Sequence, residues 1–204
     1  MNRDSQPRRR VRLKDRHREQ TADAILSAAE EIFASDGLHA ARMEAIAARA
    51  GIAVGSLYNH FESRRDLLGA LVRARREALL ARADEALAAP RAFADGLRLL
   101  LGALFEHWAL HGRFLTALIG SEYAGAVSGP RGRAILDELH DRAARLARRG
   151  LEEGALDPAD ADLHAAVLLG MVRGVVRQIP LESGAPAAAE RVARIFLHGA
   201  GRRP

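Results

Sequence analysis

Hydrophobic residues recur at intervals of three and four along most of the chain, and no stretch alternates strictly between hydrophobic and polar residues. This spacing is typical of amphipathic α-helices, in which positions i, i+3, i+4 and i+7 share one face. Runs of β-branched residues are missing, while Ala, Leu, Arg and Glu dominate. Because this composition favours helix over strand, the sequence predicts an all-α fold.

The first predicted helix runs from Thr21 to Gly37, where the glycine is placed as in a helix C-cap. Two short segments follow, near residues 43–50 and 54–60, and a turn that begins with Gly51 separates them. Helices this short must dock on neighbours to be stable. Two short helices joined by a tight turn and braced by longer helices are the sequence form of a helix-turn-helix.

A long helix is predicted next, because the spacing of Ser63 and Asp66 resembles a capping box. This helix ends before Pro90. Further helices are predicted near residues 92–111, 114–122, 130–153, 158–179 and 187–198. Asp157 and Pro158 favour a helix start, as N-cap and first-turn residue.

The positive charge is concentrated at the N-terminus. Residues 1–19 hold eight Lys and Arg against three acidic residues, which accounts for the whole formal net charge of +5. Because few apolar residues lie there, we expect residues 1–19 to form a flexible basic tail that contributes nothing to a core. Nucleic acid is the favoured partner; a solubilising role and an anionic membrane surface are the alternatives, the latter weakened by the lack of apolar residues to insert.

Several classes of protein are excluded or disfavoured. Cysteine is absent, which excludes disulfides, thiolate metal sites and cysteine nucleophiles. Neither an apolar leader nor about 18 consecutive apolar residues are present, so we expect a cytoplasmic protein without a membrane partner. Catalytic motifs such as HExxH are missing, and the i, i+4 pair His107 and His111 has no placed third metal ligand. We therefore expect no enzyme, no catalytic residue, no metal and no cofactor.

The second short segment is the candidate DNA-reading element, because the second helix of a helix-turn-helix enters the major groove. Gly51 permits the tight turn, and Gly55 removes side-chain bulk where the helix could meet a phosphate. The side chains that can hydrogen-bond phosphates or base edges are Ser56, Tyr58, Asn59 and His60.

The stretch IAARAGIAVGSLYNHFESRRDLL, with the helix before it, closely resembles the signature of the TetR family of transcriptional regulators. The matching positions are Ile25, Ala28-Ala29, Phe33, Gly37, Ile46-Ala47, Ala50-Gly51-Ile52, Gly55-Ser56-Leu57-Tyr58, His60-Phe61, Arg64 in place of the family's usual lysine, and Leu67-Leu68. The resemblance implies an N-terminal three-helix DNA-binding head at residues 20–67. It also implies a C-terminal helical domain for effector binding and dimerisation at residues 68–204.

The resemblance also implies DNA-binding roles by position. The side chains implied to bind phosphates are Tyr58, His60 and Arg64. The residues implied to face the major groove are Val54, Gly55, Ser56 and Asn59. Phosphate contacts position a protein while base contacts specify sequence. Asn59 is the first candidate for base readout, since an amide can bond adenine through two hydrogen bonds.

Two positions depart from the family pattern. Arg42 and Ala53 precede the two short helices, where family members commonly have Ser or Thr. Since losing a hydroxyl N-cap costs about 1 kcal/mol, we expect both helices to be poorly capped. We expect Arg42 to offset this loss by contacting a phosphate, with a merely solvated charge as the alternative.

The family's C-terminal domain implies a homodimer in which the last two long helices pair with their symmetry mates. The positions that fit such a bundle are Leu163, Ala166, Val167, Gly170, Met171, Gly174 and Val175. Glycines inside a helix cost about 1 kcal/mol each, which a closely packed neighbouring helix would explain. An internal core helix is the alternative.

A stripe on the helix from Ala92 carries apolar residues and ends in polar ones. The stripe consists of Leu97, Leu101, Leu104, Trp108 and His111, with Phe105 and His107 beside it. Such a stripe is either core or the wall of a ligand pocket, and pockets are mostly apolar with a few polar groups. The candidate effector-binding residues are Leu104, His107, Trp108, His111, Tyr123 and Met171.

Together these features predict a ligand-responsive transcriptional repressor that binds a palindromic operator in double-stranded DNA as a homodimer. The expected effector is a small, largely apolar or aromatic molecule with one hydrogen-bonding group, and its binding releases the protein from DNA. A nonspecific nucleic-acid-binding protein remains the alternative that the basic tail alone would support.

Overall fold

A computed structural model describes residues 6–88, 91–119, 121, 130–158, 161–179, 181–182 and 184–200. These residues form eight helices and no strand, as the all-α prediction requires. The helices are α1 Gln6–Asp36, α2 Met43–Arg49, α3 Val54–His60, α4 Arg64–Ala88, α5 Phe93–Ile119, α6 Pro130–Glu152, α7 Ala161–Gln178 and α8 Ala185–Ala200. Within this described part, no helix combines the length and apolar character needed to cross a membrane.

The chain divides into two compact units, Met1–Arg73 and Ala74–Pro204. The division falls within α4, whereas the sequence placed it after residue 67. The first unit holds α1 to α3 and the beginning of α4, and the second holds the remainder of α4 with α5 to α8.

The start of α1 differs from the prediction. The helix begins at Gln6, well before Thr21, so the expected flexible tail is corrected for residues 6–19. Pro7 lies in the first turn, where its missing amide is tolerated. No glycine or proline occurs from there until Gly37, and Arg, Lys, Glu and Ala all favour helix. Gly37 ends the helix at φ +85°, as predicted for a C-cap glycine.

The core of the first unit draws buried side chains from all four of its helices. These are Ile25, Ala28, Ala29 and Phe33 of α1, Met43, Ile46 and Ala47 of α2, Leu57 of α3, and Leu67, Leu68 and Leu71 of α4. Leu57 is fully buried and is the single buried residue of α3. The short α3 therefore docks through one side chain, as its length requires, and leaves its other faces toward solvent.

The core of the second unit is built around α5, which was predicted as two helices with a break at residues 111–114. The helix is continuous, and Gly112 within it makes room for Trp108: a Cβ at Gly112 would lie 2.8 Å from the indole Nε1. The glycine thus serves side-chain packing and does not end the helix.

The start of α7 also differs from the prediction, because this helix begins at Ala161 rather than at Pro158.

Ion pairs within the second unit join α4 to α6. Arg76 pairs with Glu138, and Asp84 pairs with Arg142 and Arg145. The hydrogen bonds and charge of Arg142, followed by those of Arg145, lower the pKa of Asp84. Because the folded state favours the charged carboxylate, this stabilisation is lost as the pH falls through the lowered pKa.

Candidate functional site

The turn between α2 and α3 is a helix C-cap closed by Gly51 at φ +70°. The amide of Ile52 donates to the carbonyl of Ala47 at 3.0 Å, and the amide of Gly51 donates to that of Ala48 at 3.2 Å. These are the paired hydrogen bonds of a Schellman motif. Any side chain at position 51 would be strained by the left-handed backbone, so the predicted role of Gly51 is confirmed.

α3 turns its polar residues outward. Gly55, Ser56, Tyr58 and Asn59 are exposed, whereas Val54 and His60 are half-buried at its edges. Tyr58 keeps 45% of its surface accessible even though tyrosine is a large residue. The helix thus presents hydroxyl and amide groups on the face opposite Leu57.

Gly55 has open space around it. A Cβ at this position would meet nothing within 4 Å, and its φ is not among the positive ones. A glycine in a helix is less favourable than alanine by roughly 1 kcal/mol. Because packing within the first unit does not require a glycine here, the missing side chain leaves bare backbone toward the outside.

Neither short helix has a side-chain cap, which confirms the prediction from their unusual N-cap residues. Arg42 and Ala53 have the extended backbone of N-caps, with ψ of 141° and 144°, yet neither makes a capping hydrogen bond. α4 by contrast begins with the predicted pair. The hydroxyl of Ser63 donates to the Asp66 carboxylate at 2.8 Å and accepts from the Asp66 amide at 3.2 Å.

Replacing Ala53 by serine should stabilise the first unit by about 1 kcal/mol, because the new hydroxyl can accept the amide of Gly55 or Ser56. Urea unfolding of both proteins measures this difference. Ala40→Ser places the same hydroxyl at an exposed loop position and should change stability by no more than about 0.5 kcal/mol. Equal gains in the two variants would contradict the capping argument.

Arg64, the first residue of α4, lies against the loop between α1 and α2. Its Nη1 donates to the carbonyl of His39 at 2.6 Å and to that of Ala41 at 3.3 Å. Arg42 is the exposed residue that follows this loop. The implied contacts of both arginines with phosphates stay predictions.

An ion pair between Arg49 and Glu31 joins the end of α2 to α1. Sequence reasoning missed this pair, because the two residues lie on different helices and no local spacing relates them. Both side chains are more than half exposed, so the pair adds little stability. Because Arg49 is the last residue of α2, the pair links the first helix of the helix-turn-helix to α1 at the surface of the first unit.

The predicted effector-binding residues are not all in the same environment. Leu104 and His107 are buried, with 6% and 3% of their surface exposed. Trp108 and Met171 are half-buried against the same core. Leu104 therefore packs in the core of the second unit, and its part in effector binding stays a prediction. Tyr123 lies outside the described residues.

The polar end of the stripe brings two imidazoles together. The rings of His107 and His111 have centroids 4.6 Å apart and are tilted by 58°. Among the residues that the structure describes, no group of three or more His, Asp or Glu side chains could hold a metal ion.

α7 has one face toward the core and one toward solvent. The exposed face carries Leu163, Ala166, Val167, Gly170 and Gly174. Leu163 and Val167 are 57% and 46% exposed. A Cβ at Gly170 or Gly174 would meet nothing within 4 Å. The internal-core alternative is therefore wrong for this face, although Met171 and Val175 do pack against the core from the other side.

A glycine-closed turn between two short helices, with the second helix exposing polar side chains, defines a helix-turn-helix DNA-binding protein. Residues 25–71 match the family described as bacterial regulatory proteins, tetR family. The chain is 30% identical to the HTH-type transcriptional regulator UidR of Escherichia coli strain K12 over 174 residues, which cover 83% of this chain and 86% of that protein.

Solved structures agree with this match. KstR2 of Mycobacterium tuberculosis, a ketosteroid transcriptional regulator, is 27% identical with a TM-score of 0.69, covering 89% of this chain and 95% of that one. PfmR of Thermus thermophilus, a TetR family regulator, shares the fold with a TM-score of 0.71 at 22% identity, covering 87% of this chain and 99% of that one. The chain belongs to the TetR family of transcriptional regulators. It is a DNA-binding regulator and not an enzyme.

Proposed function

We propose that this regulator is a cytoplasmic repressor that binds a palindromic operator as a homodimer and is released by a small molecule. The observation that carries the proposal is the outer face of α3. Ser56, Tyr58 and Asn59 are exposed there, while Leu57 alone is buried. A helix that is buried through one side chain and polar on its exposed face is suited to the major groove.

Within the proposed interface, two groups of residues have different tasks. Tyr58, His60 and Arg42 contact phosphates and set the position of the head. Val54, Gly55, Ser56 and Asn59 face the groove. The open space at Gly55 supports this arrangement, because a bare backbone lets DNA approach α3 closely.

We expect Asn59→Ala to change the preferred base at one position of each half-site by about 1 to 3 kcal/mol, because its amide is the bidentate donor and acceptor. Tyr58→Phe should weaken all duplexes similarly, since a lost phosphate contact carries no sequence information. The measurement is binding to DNA from upstream of the protein's own gene, followed by operators substituted at each base pair. An unchanged base preference in Asn59→Ala would contradict its proposed role in readout.

A homodimer is supported by the exposed face of α7. Two glycines there have open space in their own chain, although each costs about 1 kcal/mol in a helix. A second copy of α7 packed closely against this face would need that space. Dimerisation also suits palindromic DNA, because a two-fold protein axis relates two half-sites.

The small-molecule effector is placed at the polar end of the α5 stripe. Trp108 and His111 are half-buried there, next to the buried His107. A binding site with largely apolar walls and a few polar groups favours an apolar or aromatic ligand with one hydrogen-bonding group. KstR2, at 27% identity, is named a ketosteroid regulator, and ketosteroids have that chemistry. For such a ligand to release DNA, it must bind the DNA-incompetent state more tightly.

An effector that releases the operator should change the fluorescence of Trp108, the one tryptophan of the chain. Trp108→Phe should reduce the response to the effector while leaving DNA binding intact, because the indole lies in the second unit. DNA-binding titrations with and without effector measure the DNA affinity of the variant and its response to the effector. If a proven inducer leaves the emission unchanged and the variant responds normally, the effector site is elsewhere.

A further inference from the structure

The loop between α1 and α2 is held by a residue distant in sequence. The Nη1 of Arg64 donates to the carbonyls of His39 and Ala41 at 2.6 and 3.3 Å. Ala41 is 3% exposed, and Arg42 follows it directly. One guanidinium nitrogen therefore spans two carbonyls of the loop that leads to Arg42.

This contact matters because the start of α2 has no side-chain cap. Arg42 is the N-cap of α2 and makes no side-chain capping hydrogen bond, so the usual device that fixes the first turn of a helix is missing. Two backbone hydrogen bonds are local: the amide of Ala41 donates to the carbonyl of Gly37 at 3.2 Å within the loop, and the amide of Ile46 donates to the carbonyl of Arg42 at 3.1 Å in the first turn of α2. The hydrogen bonds of Arg64 add a link from the loop to α4.

We propose that Arg64 is a positioning residue that acts on DNA through Arg42, rather than by binding a phosphate itself. It fixes the loop and thereby the direction in which Arg42 leaves the first unit. The inference rests on the proposed DNA contact of Arg42. It also gives a reason for arginine where the family usually has lysine, since the ammonium of lysine ends one bond short of the position that Nη1 occupies.

The two candidate roles of Arg64 differ in their response to Arg64→Lys. Lysine keeps the charge, so a direct phosphate contact would survive with unchanged affinity and salt dependence. A positioning role would be lost, because the lysine ammonium ends one bond short of Nη1 and so falls short of the two carbonyls. In that case Arg64→Lys should behave like Arg42→Ala, weakening binding by about tenfold and lowering the salt slope by about one per protomer.

The experiment is a double-mutant cycle of Arg64→Lys and Arg42→Ala, using a labelled duplex that the wild-type protein binds at several salt concentrations. We expect the double variant to bind no more weakly than Arg42→Ala alone, because both changes remove the same contact. Arg65→Lys, at the exposed neighbouring position, is the matched control and should bind within about twofold of wild type. Hydrogen exchange of the free protein should show faster exchange at residues 37–46 in Arg64→Lys than in Arg65→Lys.

Each contrary result has a distinct meaning. Wild-type affinity and salt slope in Arg64→Lys, additive losses in the cycle, or no loss in Arg42→Ala would each overturn the positioning role. A wild-type protein that binds no duplex would instead overturn the proposed function. A loss of thermal stability in Arg64→Lys without coupling to Arg42 would reduce Arg64 to a structural residue and also overturn the inference.

Discussion

Gly170→Arg should convert the protein into a monomer and weaken its binding to a palindromic operator by about 100-fold or more. The substitution should leave the fold of each chain intact, because a Cβ at Gly170 meets nothing within 4 Å and arginine favours helix over glycine. The proposed partner helix would lose its space, however, and a bulky charge would be buried against it. Separated heads would then bind each half-site without the gain in effective concentration that linkage provides.

Analytical ultracentrifugation and operator titration measure the two effects of Gly170→Arg. The matched control is Gly102→Arg, which introduces the same side chain at another helical glycine with nothing within 4 Å of its Cβ. The control should remain dimeric and bind DNA normally, because Gly102 lies on α5 and not on the exposed face of α7. A Gly170→Arg protein that stays dimeric and keeps its affinity would place the dimer interface elsewhere.

Gly150→Ala should destabilise the second unit by about 1 to 3 kcal/mol, the usual cost of overpacking a core. The new Cβ would lie 2.9 Å from Cδ1 of Leu156 and 2.9 Å from the ring of Phe93. Phe93 and Leu156 are only 1% and 2% exposed, so neither can move without disturbing its own neighbours. For a protein of this size, the melting temperature should fall by roughly 2 to 4 °C for each kcal/mol.

The opposite sign is expected for Gly102→Ala, which makes the same change where a Cβ meets nothing within 4 Å. This variant should gain up to about 1 kcal/mol, because alanine is the better helix former. Calorimetry of both variants under identical buffer conditions measures the two shifts. A stabilised Gly150→Ala protein would show that the packing around Phe93 adapts to an added methyl group.

Apart from the helix start predicted at Asp157 and Pro158, the sequence predicted helix ends well where start or stop signals are local. The Ser63–Asp66 pair, the glycine stops at Gly37 and Gly51, and the missing caps at Arg42 and Ala53 all depend on residues within one or two turns. Hydrogen bonds and backbone angles bear out each of them. Such signals act within a single helix end, so no knowledge of the rest of the fold is needed.

Sequence reasoning was less successful where a residue's role depends on a partner. The predicted break between residues 111 and 114 contains Gly112, which instead makes room for Trp108 within a continuous helix. In sequence, a glycine that ends a helix cannot be told from one that accommodates a neighbour. The start of α1 was missed for a different reason, which involves no partner. The basic composition of residues 6–19 is typical of a tail, but the segment contains no stop signal and continues the helix.

The sequence by itself determined the helical class, the helix-turn-helix and its family, because local spacing and an ordered motif carry that information. The tertiary structure alone decided which side of each helix is free. It exposed the face of α7 that carries Gly170 and brought Arg64 to the carbonyls of His39 and Ala41. Both outcomes arise from packing between segments far apart in the chain, and helical periodicity records that a face is apolar but not what covers it.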